Sequence, residues 1–176
     1  ISLEDGSDNA LITNNDDATI IVRTPNTAII TLDKKVKLAS ADDATYADSL
    51  STTVNTENGT VNVVFRVTVK NSGDAAVTID KEAFRDAMTN GADEDVTTLL
   101  NSTDLEILLA AGDFTIAAGA ERTFTIRATL AVGSYNNVAD LFVNAVIAVC
   151  DGNKVDWGNN VGDELISDNA SVRITV

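Results

Sequence analysis

The chain has 176 residues, with 12 basic and 27 acidic side chains, a formal charge of −15 at pH 7, no histidine and one cysteine. This acidity argues against binding to nucleic acid or to an anionic membrane, because both surfaces attract basic side chains. The absence of histidine excludes catalytic triads with a histidine base and metal sites with imidazole ligands. A single cysteine excludes an intramolecular disulfide. We therefore expect that the protein is not an enzyme.

The start of the chain and its sequons predict an extracellular protein. Numbering begins at Ile1 without an initiator methionine, so we expect a mature chain whose leader has been removed. No run approaches about 18 consecutive apolar residues, the length of a membrane-spanning helix, and we predict no membrane insertion. Asn58, Asn101 and Asn169 each begin an Asn-x-Ser/Thr sequon and are candidate glycosylation sites of an exported protein.

Alternation of apolar and polar residues is the main structural signal, and it is typical of strands with one buried face. The alternating segments are 61–70, 122–130 and 172–176. Two β-branched runs, 19–23 and 28–32, are further predicted strands. Residues 34–39 are predicted to continue as an edge strand, whose three lysines discourage unwanted pairing. Residues 141–150 are apolar on both faces apart from Asn144, which favours a central strand.

One segment departs from the strand pattern and predicts a helix. Its apolar residues at helical spacing are Ala83, Phe84, Ala87 and Met88. Asp80 is the candidate N-cap, and Asn90-Gly91 is expected to end the helix. Short strands joined by Gly- and Asn-rich turns predict a mainly-β fold, a jelly-roll or immunoglobulin-like β-sandwich with a short helical insertion around residues 80–111. We expect an N-terminal segment, 1–17, followed by a single β-sandwich domain over 18–176.

Few residues of the sequence indicate a reactive or metal-binding site. Asp151, Asn153 and Asp156 place oxygen-bearing side chains at alternating spacing, so they are candidate ligands of a calcium ion, with an ordinary polar turn as the alternative. Ca²⁺ is the one candidate cofactor. Cys150 ends an apolar run and is interpreted as a small buried hydrophobic residue. Six lysines among many Asn and Asp residues leave open an intramolecular isopeptide bond.

Three segments carry a resemblance to known proteins. They are 65–79 (FRVTVKNSGDAAVTI), 117–126 (AAGAERTFTI) and 134–146 (SYNNVADLFVNAV). The first two are similar to the strand, Asn-x-Gly turn and strand of secreted prokaryotic sandwich domains, a group that includes immunoglobulin-like adhesion modules. Together with the third and with the predicted helical insert, they resemble the TasA/camelysin class of biofilm matrix proteins and the similar archaeal bundling-pilus subunits. The resemblance implies a jelly-roll-like fold and a free N-terminal segment exposed by removal of a leader.

The same resemblance implies a mechanism of assembly. A sandwich that lacks one strand can receive it from the N-terminal segment of a neighbouring copy, and head-to-tail contacts of this kind propagate as a filament. The candidate donor side chains are Ile1, Leu3, Ala10 and Ile12. We therefore predict a structural subunit of an extracellular filament, a pilus or a biofilm matrix fibre, whose partner is a second copy of this chain. The alternative for residues 1–17 is a disordered or self-paired terminus.

Two other functions stay open at this point. The first is a monomeric extracellular adhesion or carbohydrate-binding module with calcium-organised loops, in which Tyr135 and Trp157 are candidates for stacking on a sugar. The second is a viral capsid or decoration protein built on a jelly roll.

Overall fold

The computed structural model describes residues 10–13, 19–22, 27–79, 83–109, 114–142, 146–148, 154–156 and 165–176. These residues form thirteen strands, one α-helix and two short 3₁₀ helices. The strands are β1 (Ala10–Thr13), β2 (Thr19–Val22), β3 (Thr27–Leu38), β4 (Ser49–Thr53), β5 (Thr60–Asn71), β6 (Val77–Ile79), β7 (Phe84–Asn90), β8 (Phe114–Ile116), β9 (Glu121–Ala131), β10 (Gly133–Phe142), β11 (Val146–Ala148), β12 (Lys154–Asp156) and β13 (Leu165–Thr175). The helix α1 is Ser102–Leu109, and the 3₁₀ helices are Asp43–Thr45 and Thr97–Leu99.

The described strands pair in four sheets. Two four-stranded sheets, in the orders β4-β13-β10-β7 and β12-β3-β5-β9, form the sandwich, and β11-β6-β8 forms a third sheet. The fourth sheet is the antiparallel hairpin of β1 and β2. Most pairs are antiparallel, but β12 runs parallel to β3 and β4 runs parallel to β13. The predicted mainly-β sandwich is confirmed. Among the described helices, none combines the length and the hydropathy that crossing a membrane requires.

The strands predicted from alternation lie at the centre of the sandwich. In β5, Val63, Phe65, Val67 and Val69 are fully buried, while the residues between them are half-buried. The neighbouring β9 repeats the pattern, with every second residue from Phe124 buried and the intervening residues exposed. Alternation with a period of two produces one buried face and one hydrated face in a sheet that is covered on one side.

The predicted helix over 80–88 is wrong. Residues 80–82, including the candidate N-cap Asp80, lie outside the described residues, and Phe84–Asn90 forms β7, antiparallel to β10. Phe84, Asp86 and Met88 point into the core, a period of two that includes a buried acid. Pairing with β10 and burial of this face override the local helical spacing. The helix of the 80–111 insertion is α1, which lies closer to the end of that segment.

Two strand predictions also need correction. Residues 28–38 belong to one continuous strand, β3. Lys34 does not discourage pairing at a sheet edge, because its side chain is completely buried. Residues 141–150 do not form a single central strand: β10 ends at the partly exposed Phe142, and Val146–Ala148 joins β6 in the three-stranded sheet. Long apolar runs can be divided between sheets, and periodicity within the run does not show where.

Three phenylalanines join three of the sheets. Phe84 of β7, Phe114 of β8 and Phe124 of β9 have ring centroids 5.8 to 6.0 Å apart. Phe84 and Phe114 are nearly parallel, and Phe124 meets both edge to face. The guanidinium of Arg122 lies over Phe114, 4.3 Å from its ring centroid, and covers this cluster from the solvent side. These contacts hold β8 and its sheet against the sandwich.

Candidate functional site

The sandwich interior contains a polar cluster that no local sequence pattern predicted. Lys34 of β3 comes from one four-stranded sheet, and Asp86 of β7 and Asn137 of β10 come from the other. Lys34 and Asn137 are fully buried, and Asp86 is 5% exposed. Each residue follows its strand's inward alternation, so backbone geometry places all three side chains in the core.

The carboxylate of Asp86 connects the other two side chains. Lys34 Nζ donates to Asp86 Oδ2, and Asn137 Nδ2 donates to Asp86 Oδ1 at 2.5 Å and to the carbonyl of Ala87 at 2.9 Å. Asn137 Oδ1 has no hydrogen-bond partner among the described residues. The backbone amide of Lys34 donates to Asp168 Oδ2 at 2.7 Å, which fixes β3 against β13 at this position.

The environment of the cluster favours uncharged groups. Burial lowers the pKa of the Lys34 ammonium, and burial raises the pKa of the Asp86 carboxyl, although the attraction between the two opposes both shifts. Lys34 Nζ also lies 5.7 Å from the ring centroid of Phe65. In this pair, burial therefore works toward a neutral amine and a neutral acid.

The sheet edges provide a second feature of functional interest. The outer edge of β7 is covered, because Met88 O accepts from Val96 N at 2.8 Å. The outer edge of β9 is covered as well, because Asn101 N donates to Arg127 O at 2.7 Å. By contrast, β4 is the last strand of its sheet and pairs with β13 alone among the described strands. An unpaired edge is a template for a further strand.

The orientation of β4 follows from one hydrogen bond beyond its end. Val54 N donates to Thr175 O at 2.8 Å, and alternate residues of a strand point their amides the same way. The amides of residues 50 and 52 therefore face β13, whereas those of Ser49, Ser51 and Thr53 face outward. An open groove of about 520 Å³ lies at the C-terminal end of β4, and its half-buried apolar residues are Leu38, Val54 and Val61.

The structure describes only part of the predicted donor segment and calcium site. Ala10 and Ile12 lie in β1, opposite Val22 and Ile20 of β2, while residues 1 and 3 fall outside the described ranges. Their donor role stays a prediction. Asp151 and Asn153 also fall outside those ranges, and Asp156 ends β12. Within the described part of the chain, no three Cys, Asp or Glu side chains gather as a metal site. The calcium site, which lies mainly outside that part, stays a prediction.

The three sequon asparagines occupy exposed positions. Asn58 lies in the turn before β5, and Asn101 precedes α1, where its Oδ1 accepts from Asp104 N at 3.1 Å. Asn169 Nδ2 donates to Asn136 Oδ1 at 2.8 Å, so a glycan there would replace a cross-strand hydrogen bond. Exposure permits glycosylation at these sites, which stays a prediction.

Of the other residues singled out in the sequence, Tyr135 is half-buried. Its hydroxyl donates to the Ala131 carbonyl at 3.3 Å. Cys150 and Trp157 lie outside the described residues.

No protein-family model matches this sequence, and no curated protein sequence matches it. Solved structures similar to the chain include the structural genomics target SoR45, with a TM-score of 0.42 and 9% identity over 82% of this chain and 86% of that one. The CARDB domain of the PF1109 protein of Pyrococcus furiosus, solved in complex with di-metal ions, has a TM-score of 0.38 and 13% identity over 85% and 94%. The PapD-like domain 7 of human CEP192 has a TM-score of 0.32 and 7% identity over 80% and 82%. These similarities are remote, so the fold assignment rests on the strand pairing described above.

Proposed function

We propose that the protein is a structural subunit of an extracellular filament, in which residues 1–17 of one copy add a strand to β4 of the next. The observation that carries the proposal is the edge position of β4, which has β13 on one side and no strand among the described residues on the other. The outward amides of Ser49, Ser51 and Thr53 offer main-chain hydrogen bonds to an incoming strand.

The donor segment suits an exchange between copies. Its described part, β1, pairs with β2 in a sheet separate from the three larger ones. The ladder of β1 and β2 has four residue pairs, so the exchange requires few backbone hydrogen bonds to be replaced. Ile1, Leu3, Ala10 and Ile12 are the candidate apolar side chains of this donor segment.

The geometry of such a contact is open-ended. In the proposed contact, each copy uses one donor segment and one acceptor edge, and a head-to-tail contact between different surfaces propagates rather than closing on itself. The charge of −15 makes copies repel one another, and salt screens this repulsion. Assembly is therefore expected to strengthen as the salt concentration rises. The proposed role is structural and includes no enzymatic step.

Negative-stain electron microscopy with size-exclusion chromatography tests the proposal on the full chain. We expect filaments that persist through dilution. Two variants each remove one half of the contact. Deletion of residues 1–17 removes the donor, and Ser51→Pro removes an outward amide of β4 that does not pair with β13. Neither variant should form filaments, whereas the matched control Ser51→Ala keeps its amide and should.

Mixing the two variants makes the test specific to donor and acceptor. The deletion variant keeps an intact β4 edge, and Ser51→Pro keeps an intact donor segment. Equal amounts should therefore form a 1:1 complex that grows no further. A monomer under all salt and calcium conditions would contradict the filament proposal and favour the adhesion or carbohydrate-binding module instead. Filaments formed by the deletion variant would show that residues 1–17 are not the donor.

A further inference from the structure

We infer that the side chains of Lys34 and Asn137 become joined by an intramolecular isopeptide bond, with Asp86 transferring the protons of the reaction. The bond would link β3 in one sheet to β10 in the other, across the sandwich core. This inference does not rest on the proposed filament, because every group it uses lies within one copy of the chain.

The arrangement of the three side chains carries the inference. Asp86 accepts from the Lys34 amine on one oxygen and from the Asn137 carboxamide on the other. In the ladder of β7 and β10, Asp86 pairs with Ala139 and Asn137 pairs with Met88, so the two side chains are diagonal neighbours on the same inward face. One carboxylate thus holds a nucleophile and an amide leaving group together, out of contact with water.

The reaction exchanges one amide nitrogen for another. Lys34 first passes a proton to Asp86 Oδ2, which leaves a neutral amine and a neutral acid. The Nζ lone pair then attacks Cγ of Asn137 and forms the new C–N bond. Asp86 gives a proton to Nδ2 and takes one from Nζ, so that the Cγ–Nδ2 bond breaks and ammonia leaves. Asp86 ends as a neutral acid, and nothing is oxidised or reduced.

The surroundings favour each stage. Burial shifts the pKa of Lys34 down and the pKa of Asp86 up, and both shifts are in the direction of the neutral amine that attacks and the neutral acid that donates. The product removes a buried charged pair, whose desolvation is costly. The product also provides a hydrogen-bond partner for Asn137 Oδ1, which lacks one among the described residues. Once the amide group has rotated, the hydroxyl of neutral Asp86 can donate to this oxygen.

The structure favours Asn137 over Asp86 as the residue that is joined to the lysine. A bond to Asp86 itself would need another acid in contact with the reacting groups to remove water from its carboxyl. The carboxylate of Asp168 also lies at Lys34, but it accepts from the backbone amide rather than from Nζ. If Asn137 is the acyl group, Asp86 is free to transfer protons.

High-resolution mass spectrometry of the purified full chain tests the inference directly. Loss of one ammonia lowers the mass by about 17 Da relative to the sequence. Proteolysis should release the peptides of Lys34 and Asn137 as one branched product. An unchanged mass would show a non-covalent ion pair and overturn the inference. A loss of about 18 Da, the mass of water, would show condensation with a carboxyl group and overturn the assignment to Asn137.

Three variants assign the roles. Lys34→Met removes the nucleophile and should restore the full mass, whereas the matched control Lys35→Met, on the next residue of β3, should keep the deficit. Asp86→Asn leaves both reacting groups in place but removes proton transfer, so it should also have the full mass. A deficit that persists in Asp86→Asn would overturn the role of Asp86, and one that persists in Lys34→Met would overturn the cross-link. The mass measurement on the wild-type chain tests the inference even if a variant fails to fold.

Discussion

Asn71, the last residue of β5, shows how one buried amide can organise a turn. Its Oδ1 accepts from the backbone amides of Ile29 and Gly73 at 3.2 and 3.1 Å. Its Nδ2 donates to the carbonyls of Ala75, Ile116 and Ala117 at 2.6, 3.3 and 3.3 Å. The side chain therefore completes backbone hydrogen bonds of β3, of the 71–75 turn and of the end of β8.

Replacing Asn71 by alanine should lower the free energy of unfolding by about 3 kcal/mol, because the buried backbone groups that it serves lose their partners at about 1–3 kcal/mol each, with partial compensation by water. Denaturant unfolding measures the change. The control is Ser72→Ala, at the exposed next residue, which should alter stability by no more than about 0.5 kcal/mol. Equal effects from the two variants would show that the Asn71 side chain contributes little.

A second residue-scale contact joins α1 to β9. Asp104 is buried and accepts from Nε and Nη2 of Arg127, each at 2.7 Å, while the Arg127 side chain is 66% exposed. Asp104 Oδ2 also accepts from the backbone amide of Arg127 at 3.1 Å. Hydrogen bonding to the Arg127 guanidinium lowers the pKa of Asp104 below its ordinary value.

This shift has a defined sign in the pH dependence of stability. Below the ordinary aspartate pKa of about 3.9, the unfolded chain takes up a proton before the folded chain does, so the contribution of Asp104 is lost as pH falls through its lowered folded value. Asp104→Asn should therefore be less stable than the wild type by about 1 kcal/mol at neutral pH, and the difference should shrink toward about pH 2. Unfolding curves measured over this pH range test the expectation. The exposed Glu106→Gln on the same helix should show no such convergence.

At the scale of elements, local pattern predicted the strands in which apolar and polar residues alternate over most of their length. β5, β9 and the last part of β13 follow strict alternation, and each forms as expected. β7 does not, because its inward face includes Asp86 and because its apolar residues also fit a helical period. The partners that make a buried Asp86 acceptable, Lys34 and Asn137, lie 52 and 51 residues away in sequence. No local window contains all three, so neither the strand nor the cluster was predictable from local sequence.

The aromatic cluster makes a prediction for the three-stranded sheet. Phe114 is the contact of the short strand β8 with Phe84 of β7 and Phe124 of β9. Phe114→Ala should destabilise the fold by about 3–5 kcal/mol, since it removes a buried ring and leaves a cavity between sheets. Thr115→Ala changes the exposed neighbour on the same strand and should cost less than about 1 kcal/mol. Thermal or denaturant unfolding of both variants provides the measurement. A small loss for Phe114→Ala would mean that β8 is not held by this cluster.

At the scale of the whole molecule, the two four-stranded sheets are held together by side chains in the core, since the backbone ladders run within each sheet. Separating the sheets therefore requires the loss of the core contacts and of a few contacts at the sheet margins, such as the backbone bridge between Val36 and Ala47. A covalent bond from Lys34 to Asn137 would change this, because the two sheets would stay tethered even after every core contact was broken. The cross-link would act mainly by lowering the conformational entropy of the unfolded chain, which would have to retain a closed loop of about 100 residues.

The cross-link should therefore raise stability through the unfolded state. By the chain-entropy argument used for disulfides, closing a loop of about 100 residues contributes about 4.7 kcal/mol, comparable to a large part of the total stability of a typical domain. Asp86→Asn, which leaves the loop open, should unfold at a temperature lower by about 10 °C or more. Because this substitution also changes a buried hydrogen-bond network, a second measurement isolates the loop. In concentrated guanidinium, where native contacts are absent, the wild-type chain should have a smaller hydrodynamic radius than Asp86→Asn. Equal radii would show that no loop is closed, whatever the difference in melting temperature.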